Sequence, residues 1–420
     1  MAVSAPKREL AQALLADQIS PADWMEEAVE DATQRLSAMG GPVGRDEYWR
    51  FTNPGPLVKP ELPKGRQIVP SDRLGTVDAL TICFVDGRFS AEKSDDLSGT
   101  GVEVTLLKDA GRWAKGLYGK LEARGQNPVP RPLAALNTAR AVEGVALRVT
   151  ATPEKPIALR YETSGAGKDV RLHHLVDIAE GASLTLFEYG QAGARSNVVI
   201  EANVADRAEL HHLRTQSGTK ERLVSTALFA ELGEETVVKS CTLVHRGAMT
   251  RNEAVFTLNG DNANAHVAGA SLIAASDSQD DTIFITHDAQ DCESRQVFKK
   301  VLRETSKGVF QGKILVQPDA QKTDGYQISQ GLLLDERAQF LAKPELEIYA
   351  DDVACSHGST CGAVDPTQLF YLTSRGVSKK DAENMLVRAF VDEAITEIAD
   401  EDLQELMREQ IVDWMADDAV

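Results

Sequence analysis

The residues whose types and spacing could do chemistry lie between positions 351 and 361. Cys355 and His357 are separated by one residue, and Asp351 and Asp352 stand just before them. If this segment is a strand, the thiol and the imidazole point to the same side, about 6–7 Å apart. Thiolate and imidazole suit iron or zinc, and thiolate is the usual ligand of iron–sulfur clusters. The two carboxylates could add oxygen ligands for iron.

Two side chains do not complete a four-ligand metal site. Either Cys361 joins Cys355 and His357, or the missing ligands come from a second chain. A protonated His357 would also lower the pKa of the Cys355 thiol. The plain structural alternative is a buried cysteine beside a turn histidine, and the spacing alone leaves that alternative open.

Other candidate motifs predict structural roles. Residues 164–168 resemble the end of a phosphate-binding loop, but Glu162 and Asp169 stand where that loop needs glycine and serine or threonine. We therefore expect no ATP hydrolysis by this chain alone. Two adjacent histidine pairs, at 173–174 and 211–212, fall in strand-like runs, where neighbouring side chains face opposite ways. Neither pair is expected to clamp a metal ion.

Composition narrows the partners and the compartment. The formal net charge of −19 repels phosphate backbones and anionic lipid surfaces, which argues against nucleic acid and membrane partners. No apolar run approaches the roughly 20 residues of a membrane span, and residues 1–12 contain no signal core. The five cysteines are odd in number and widely spread, unlike a secreted disulfide framework. We expect a cytoplasmic protein.

The element that must carry Cys355 and His357 belongs to a repeating region. Short apolar runs separated by polar corners fill residues 141–364, and similar runs recur 26, 28 and 26 residues apart, at Ile178, Val204, Leu232 and Leu258. A period of this length with strands is typical of a solenoid, because one unit cannot bury its own apolar face. The pattern favours a parallel β-helix over a β-sandwich.

The two flanks differ from this core. Residues 1–140 predict a helical and α/β region with a proline-rich extended linker at 54–70. Residues 365–420 predict helices, the first starting at Asp365 and Pro366, with an acidic tail from 400. The fold class is therefore mainly β, a parallel β-helix between these flanks. Because the ends of a β-helix expose unpaired strands, the flanks are expected to cap them or to form docking surfaces.

Longer strings in the second half resemble a known family. Residues 306–316, 320–327, 344–358 and 369–376 resemble the core of the SufB/SufD family, scaffold proteins of the SUF iron–sulfur assembly system. The resemblance covers roughly residues 160–395, and over the first 150 residues only 48–52 look similar. The Cys-Ser-His-Gly string at 355–358 is similar to the SufD branch, and the cysteine-rich N-terminal motif of the SufB branch is absent.

The resemblance implies an architecture and a set of partners. It implies a right-handed β-helix that pairs with a SufB-like scaffold as a heterodimer, and C-terminal helices that dock a SufC-like ABC-type ATPase. A cysteine desulfurase would deliver sulfur to the SufB-like subunit. A nascent cluster would form near the interface of the heterodimer, where the SufD branch contributes a histidine. In this chain that histidine is His357, with Cys355 beside it, whereas Cys361 lies outside the pattern of the branch.

These implications predict a scaffold subunit that catalyses no reaction. The chain alone would hold no stable cofactor, and His357 and Cys355 would meet transient iron or a nascent cluster only in the complex. One rival is a β-helix enzyme acting on carbohydrates through an acidic pair, at 280–281 or 351–352. A second rival is a self-contained metal-binding protein that uses Cys355, His357 and Cys361.

Overall fold

A computed structural model describes residues 3–17, 19–63, 72–165 and 167–417. Residues 64–71, which include the second half of the predicted linker, lie outside this description, as do the last three residues of the acidic tail. The first half of the linker is not wholly extended, because it contains a short helix at Gly55–Val58. The strands are β1 (Leu80–Val85), β2 (Arg88–Phe89), β3 (Val102–Leu106), β4 (Val145–Val149), β5 (Ile157–Glu162), β6 (Asp169–Ile178), β7 (Ser183–Gly190), β8 (Arg195–Val204), β9 (Glu209–Gln216), β10 (Leu223–Leu232), β11 (Val237–His245), β12 (Met249–Leu258), β13 (Asn264–Ile273), β14 (Ser278–His287), β15 (Glu293–Leu302), β16 (Lys307–Val316), β17 (Asp324–Leu333), β18 (Gln339–Ile348) and β19 (Ala354–Gly362).

From β4 onward the chain winds as a solenoid with two parallel sheets. The odd-numbered strands from β5 to β19 form one sheet with β1 and β2, in the order β19-β17-β15-β13-β11-β9-β7-β5-β1-β2, which we call the odd-numbered sheet. The even-numbered strands from β4 to β18 form the other with β3 at its end, which we call the even-numbered sheet. In the described residues, antiparallel pairing is confined to β1 with β2 and β3 with β4. The predicted fold class, a mainly β protein with a parallel β-helix core, is confirmed. The handedness of the coil stays a prediction.

The sequence repeat coincides with the register of the strands. Ile178 pairs with Val204, Val204 with Leu232, and Leu232 with Leu258, all in the even-numbered sheet. These four side chains are fully buried between the two sheets. The repeat in the sequence is therefore the stacking of one coil on the next.

The corners between the sheets repeat as well. A residue with positive φ stands at each of five successive corners leading from an even strand to the next odd strand, which lets the chain turn sharply there. These residues have φ between 54° and 60° and are Arg207, Glu235, Asn262, Asp291 and Lys322. None is glycine, so packing of the neighbouring coils must hold them in the left-handed conformation.

The helices cover the outer faces of the sheets. The N-terminal flank packs on the even-numbered sheet, where Leu175, Val199 and Phe229 are buried. The C-terminal flank packs on the odd-numbered sheet, where Leu213, Leu243 and others are buried against it. The helices are α1 (Ala5–Leu14), α2 (Glu26–Met39), α3 (Gly55–Val58), α4 (Arg112–Lys115), α5 (Lys120–Arg124), α6 (Pro132–Arg140), α7 (Pro366–Thr373), α8 (Lys379–Ile395) and α9 (Glu401–Asp417).

The predicted start of the first C-terminal helix is confirmed, but the role of these helices as end caps is not. The Asp365 carboxylate caps α7 and Ser378 caps α8, through bonds from the amides of Thr367 and Asp381. Helix α8 lies along the outer face of β13 and β15, rather than over β19. Its buried face carries Val387, Val391, Ala394 and Ile395, each at most 1% exposed.

Candidate metal site at the open end of the solenoid

The predicted site lies on β19, the last strand of the odd-numbered sheet. In the ladder with β17, Cys355 pairs with Gly325, His357 with Gln327, Ser359 with Ser329, and Cys361 with Gly331. Side chains alternate along a strand, so the odd-numbered residues of β19 share one face. Cys355 packs against the interior group around Ile314, and Ser359 Oγ lies 2.6 Å from Ser329 Oγ, which identifies that face as the interior one.

The prediction that Cys355 and His357 point to one side is therefore confirmed. Cys361, which the resemblance left out, shares that side, and so does Ser359. Ser359 was not among the candidate residues, although strict alternation along the strand from Cys355 predicts its position on this face. His357, Ser359 and Cys361 are exposed, because no further coil covers them, and Cys355 is half-buried. We call this row of four residues the end row.

The Cys355 thiol is less acidic than its histidine neighbour led us to expect. Burial raises the pKa of Cys355 above its ordinary value, and the charge of Asp324 raises it further, against a backbone hydrogen bond at Gly325 that lowers it. The expected lowering of this pKa by a protonated His357 stays a prediction. The Cys355 thiol faces Gly325 and Ile314, and a side chain built on Gly325 would lie 3.1 Å from the sulfur. Desolvation of the thiol by these neighbours is therefore the main reason that the pKa of Cys355 is raised.

The wall opposite the end row is apolar. Strand β18 is the last strand of the even-numbered sheet, and its inward residues share a face with Phe340, which packs on the core. That face carries Phe340, Ala342, Pro344, Leu346 and Ile348. At this end of the solenoid, a row of sulfur, nitrogen and oxygen donors on β19 therefore lies opposite a row of apolar side chains on β18. In the described residues, neither β18 nor β19 has a strand on its outer edge.

The N-terminal flank braces the outer face of β18. Lys343 Nζ lies 2.6 Å from a carboxylate oxygen of Glu47 and 3.9 Å from the centre of the Tyr48 ring. The Tyr48 hydroxyl donates to Glu345, and the Tyr48 carbonyl accepts from Gln311 one coil below. The segment at 48–52, similar to the family at the sequence level, therefore ties the last strand of one sheet to the coils beneath it.

The end row is incomplete as a metal site. Across the part of the chain that the structure describes, no group of three or more histidine, cysteine or acidic side chains is placed to hold a metal ion. Asp351 and Asp352 are exposed in the turn before β19, where the backbone carbonyl of Asp352 accepts a hydrogen bond from the Lys322 amide. The described residues therefore do not complete a four-ligand site at this end.

The members of the two adjacent histidine pairs face opposite ways, as predicted. His173 faces outward and bonds Glu201 and Asn137, whereas His174 faces inward and bonds the Tyr161 hydroxyl. Burial lowers the pKa of His174 to about 4. His212 bonds Glu188 inside the solenoid, and His211 bonds Glu209 outside it. Each pair therefore faces two ways.

The remaining motifs do not form sites. Residues 164–168, of which Ala166 lies outside the described residues, lead into strand β6 rather than a helix, so the context of a phosphate-binding loop is missing. Asp280 faces outward and pairs with Arg251, whereas Asp281 faces inward and pairs with Lys300. Each carboxylate is held by its own cation, and the two do not face a common substrate.

The C-terminal helices offer an apolar surface. Phe370 and Tyr371 on α7 are 72% and 55% exposed, and Met385 on α8 and Val412 on α9 are also exposed. Helix α7 has no buried residue. Exposed aromatic residues on one short helix are typical of a protein-binding surface. None of the helices in the described part of the chain has the length and apolar content to span a bilayer.

Comparison with known proteins points to one family. Residues 161–390 match the family model described as the SufBD core domain of SUF system FeS cluster assembly. The chain is 32% identical over 391 residues to the iron–sulfur cluster assembly protein SufD of Escherichia coli, covering 89% of each chain. It is 25% identical over 407 residues to a SufBD family protein of Synechocystis, covering 90% of this chain and 89% of that one. It is 25% identical to SufD of Bacillus subtilis, covering 73% and 72%.

Proposed function

This chain belongs to the SufBD family of the SUF iron–sulfur cluster assembly system, and on that premise we propose that it is a scaffold subunit that catalyses no reaction itself. The family predicted from the sequence, with its SufD branch, is confirmed, and the role of the chain lies in iron–sulfur cluster assembly. The observation that supports the finer proposal is the open end of the solenoid, where a short row of metal-binding side chains stands uncovered.

The partner at this end is a SufB-like scaffold. Strand β18 has ten residues and strand β19 has nine, and each has one free edge in the described residues. Free edges of this length pair readily with another chain. The apolar inward face of β18 would otherwise remain in water. A second β-helix that continues the coil would bury that face and supply the missing edge. The two scaffolds would then form a heterodimer.

The cluster forms where the two scaffolds meet. His357 and Cys355 supply at most two ligands, so the SufB-like subunit supplies the others, and iron and sulfide are the cargo of the site. This division would explain why the described residues hold no complete ligand set. A cysteine desulfurase acts on the SufB-like subunit and meets this chain only indirectly. The chain holds no stable cofactor, and the complex works in the cytoplasm.

A SufC-like ATPase docks on the C-terminal helices. Residues 363–365 alone separate β19, which carries the end row, from α7, which carries exposed Phe370 and Tyr371. Helices α8 and α9 are held to the sheet by contacts such as Lys299 with Glu393 and Trp414 stacked on His245. Movement of α7 by the ATPase would therefore pull on β19 directly. Nucleotide binding would open the end row to iron and sulfide in this way.

The ligand assignment is tested in the reconstituted complex. His357→Ala should reduce cluster formation by about tenfold or more, because loss of a ligand weakens a metal site strongly. Ser356→Ala is the matched control, since Ser356 is the next residue of β19 but faces outward. Unchanged cluster formation with His357→Ala, measured by absorption and by bound iron and sulfide, would remove the assigned role.

The docking assignment has its own test. The double variant Phe370→Ser and Tyr371→Ser should weaken binding of the ATPase about a hundredfold, as expected for two aromatic anchors of an interface. Tyr349→Ser is the control, because Tyr349 is 61% exposed but follows β18. If the double variant binds the ATPase as tightly as the parent, the partner uses another surface.

A further inference from the structure

Two buried glutamines stand behind His357 in the odd-numbered sheet. Gln296 of β15 pairs with Gln327 of β17, and Gln327 pairs with His357 of β19. Neighbouring strands lie about 4.8 Å apart, so the three side chains form a column at right angles to the strands. All three face the interior of the solenoid, and only His357 reaches solvent.

Neither glutamine amide has a partner among the described residues. Gln296 and Gln327 are 0% exposed, and both the nitrogen and the oxygen of each amide lack a hydrogen bond. An unpaired buried amide costs free energy, and native proteins keep few of them without a purpose. The column is therefore not explained by the stability of the isolated chain.

The surroundings of Gln327 offer it no partner within the coil. Gly312 of β16 stands against the Gln327 amide nitrogen, and any side chain there would collide with it. Gly312 pairs with Pro344 of β18, which also has no polar side chain. On the same strand, Ser329 is already bonded to Ser359. The polar side chains in register with Gln327 on the two neighbouring strands are the Gln296 amide, which makes no hydrogen bond to it, and the ring of His357.

The same sheet shows how an inward histidine is held elsewhere. His212 of β9 pairs in register with Ser240 of β11, and the Ser240 hydroxyl lies 2.8 Å from His212 Nδ1. The other ring nitrogen of His212 lies 2.9 Å from a carboxylate oxygen of Glu188. A cross-strand neighbour thus fixes one nitrogen of the ring and leaves the other for a different partner.

We propose that Gln327 plays this part for His357, as a positioning residue of the cluster site. When the second scaffold covers the end row, the Gln327 carbonyl accepts the N–H of one nitrogen of the His357 ring. This bond fixes the tautomer and directs the other nitrogen to the metal, as hydrogen-bonded partners of metal-binding histidines do. The inference rests on the proposed function of His357.

The test uses the complete complex and cobalt(II) as the probe, because its absorption bands report affinity and geometry without cluster formation. Gln327→Met removes the amide and keeps the volume of the side chain. We expect cobalt(II) to bind the Gln327→Met complex about tenfold more weakly, with shifted ligand-field bands. Gln296→Met is the matched control, equally buried, one strand further from His357, and expected to bind cobalt(II) like the parent.

Four outcomes decide between the assignments. His357→Ala without effect on cobalt(II) binding would remove the proposed site itself. Loss with His357→Ala but parental binding with Gln327→Met would overturn the role of Gln327 alone. Equal weakening by Gln327→Met and Gln296→Met, with matching falls in thermal stability, would also overturn it, because a general repacking of the interior would then suffice. Weakening by Gln327→Met alone, with the two variants equally stable, supports the inference.

Discussion

The two ends of the solenoid are built from the same coil and finished in opposite ways. At the N-terminal end, β2 and β3 run antiparallel to their neighbours and close both sheets. There, Ile82 and Phe84 of β1 are at most 1% exposed, and Phe84 packs edge-to-face on Phe89 of β2. At the C-terminal end, β18 and β19 remain parallel, and the inward-facing His357 and Cys361 are exposed.

This contrast shows that a β-helix need not have an open end, because the sequence of this chain closes the N-terminal one. In the described residues three helices follow β19, and two of them lie on the outer face of the odd-numbered sheet instead of over the end. Because the chain closes one end and leaves the other, we infer that the second end is kept for a partner.

The largest effect is expected from matched truncations at the two ends. Phe84→Ala should lower the free energy of unfolding by about 3–5 kcal/mol, since a fully buried ring is lost. Phe340→Ala should cost about 1–2 kcal/mol in the isolated chain, because that ring is only partly buried. Denaturant unfolding measures both. Equal losses would show that the C-terminal end is covered as well as the other.

The rates of thiol labelling should differ between the exposed cysteines of the open end and a cysteine buried elsewhere in the fold. Burial raises the pKa of Cys241 to about 12 from an ordinary 9.0, which lowers its thiolate fraction near pH 8 about a thousandfold. Cys361, exposed on the end row, should react first, Cys355 next and Cys241 last. Pairing with the SufB-like scaffold should protect Cys355 and Cys361. Identical labelling rates for these two in the free chain and the complex would contradict the proposed interface.

A single added charge should weaken partner binding when it lies on the inward face of β19 and leave binding unchanged when it lies on the outward face. Ser359→Lys places an ammonium on the inward face of the open end, and should weaken pairing with the second scaffold about a hundredfold. Ser356→Lys, on the outward face of the same strand, should bind like the parent. Titration calorimetry on the two variants measures the difference. If both bind normally, the end row is not at the interface.

The smallest effect concerns the pH dependence of the closed interior. Burial lowers the pKa of His287 to about 4 from 6.5, so the folded chain disfavours its protonation. This contribution to stability is present above pH 6.5 and is lost as the pH falls towards 4. At pH 5 the loss is about 2 kcal/mol, and His287→Asn should remove it. The fall in melting temperature between pH 7 and pH 5 should be smaller in the variant.

The stacking of the coils could be predicted from the sequence, because the spacing of the repeat equals the spacing between paired residues of neighbouring strands. Ile178, Val204, Leu232 and Leu258 were aligned by spacing alone, and they are partners in the sheet. Spacing also placed Cys355 and His357 on one face, because alternation along a strand is a local rule. Both predictions needed no knowledge of distant contacts.

The placement of the C-terminal helices could not be predicted in the same way. It depends on the outer face of the odd-numbered sheet, where Leu213, Leu243 and Leu272 are buried under the helices. One signal was present: β13 carries apolar residues on both faces, as strands covered on both sides do. The buried column behind His357 depended on register between strands about 30 residues apart, which the local pattern does not give.

Hydrogen exchange on the chain, alone and paired with the SufB-like scaffold, tests the central claim most directly. If the open end is the interface, amides of β18 and β19 should be protected at least about tenfold by pairing, because their free edges become bonded. Amides of β2 and β3, at the end that the chain closes itself, should exchange at the same rate in both states. Protection that appears elsewhere, with β18 and β19 unchanged, would contradict the account.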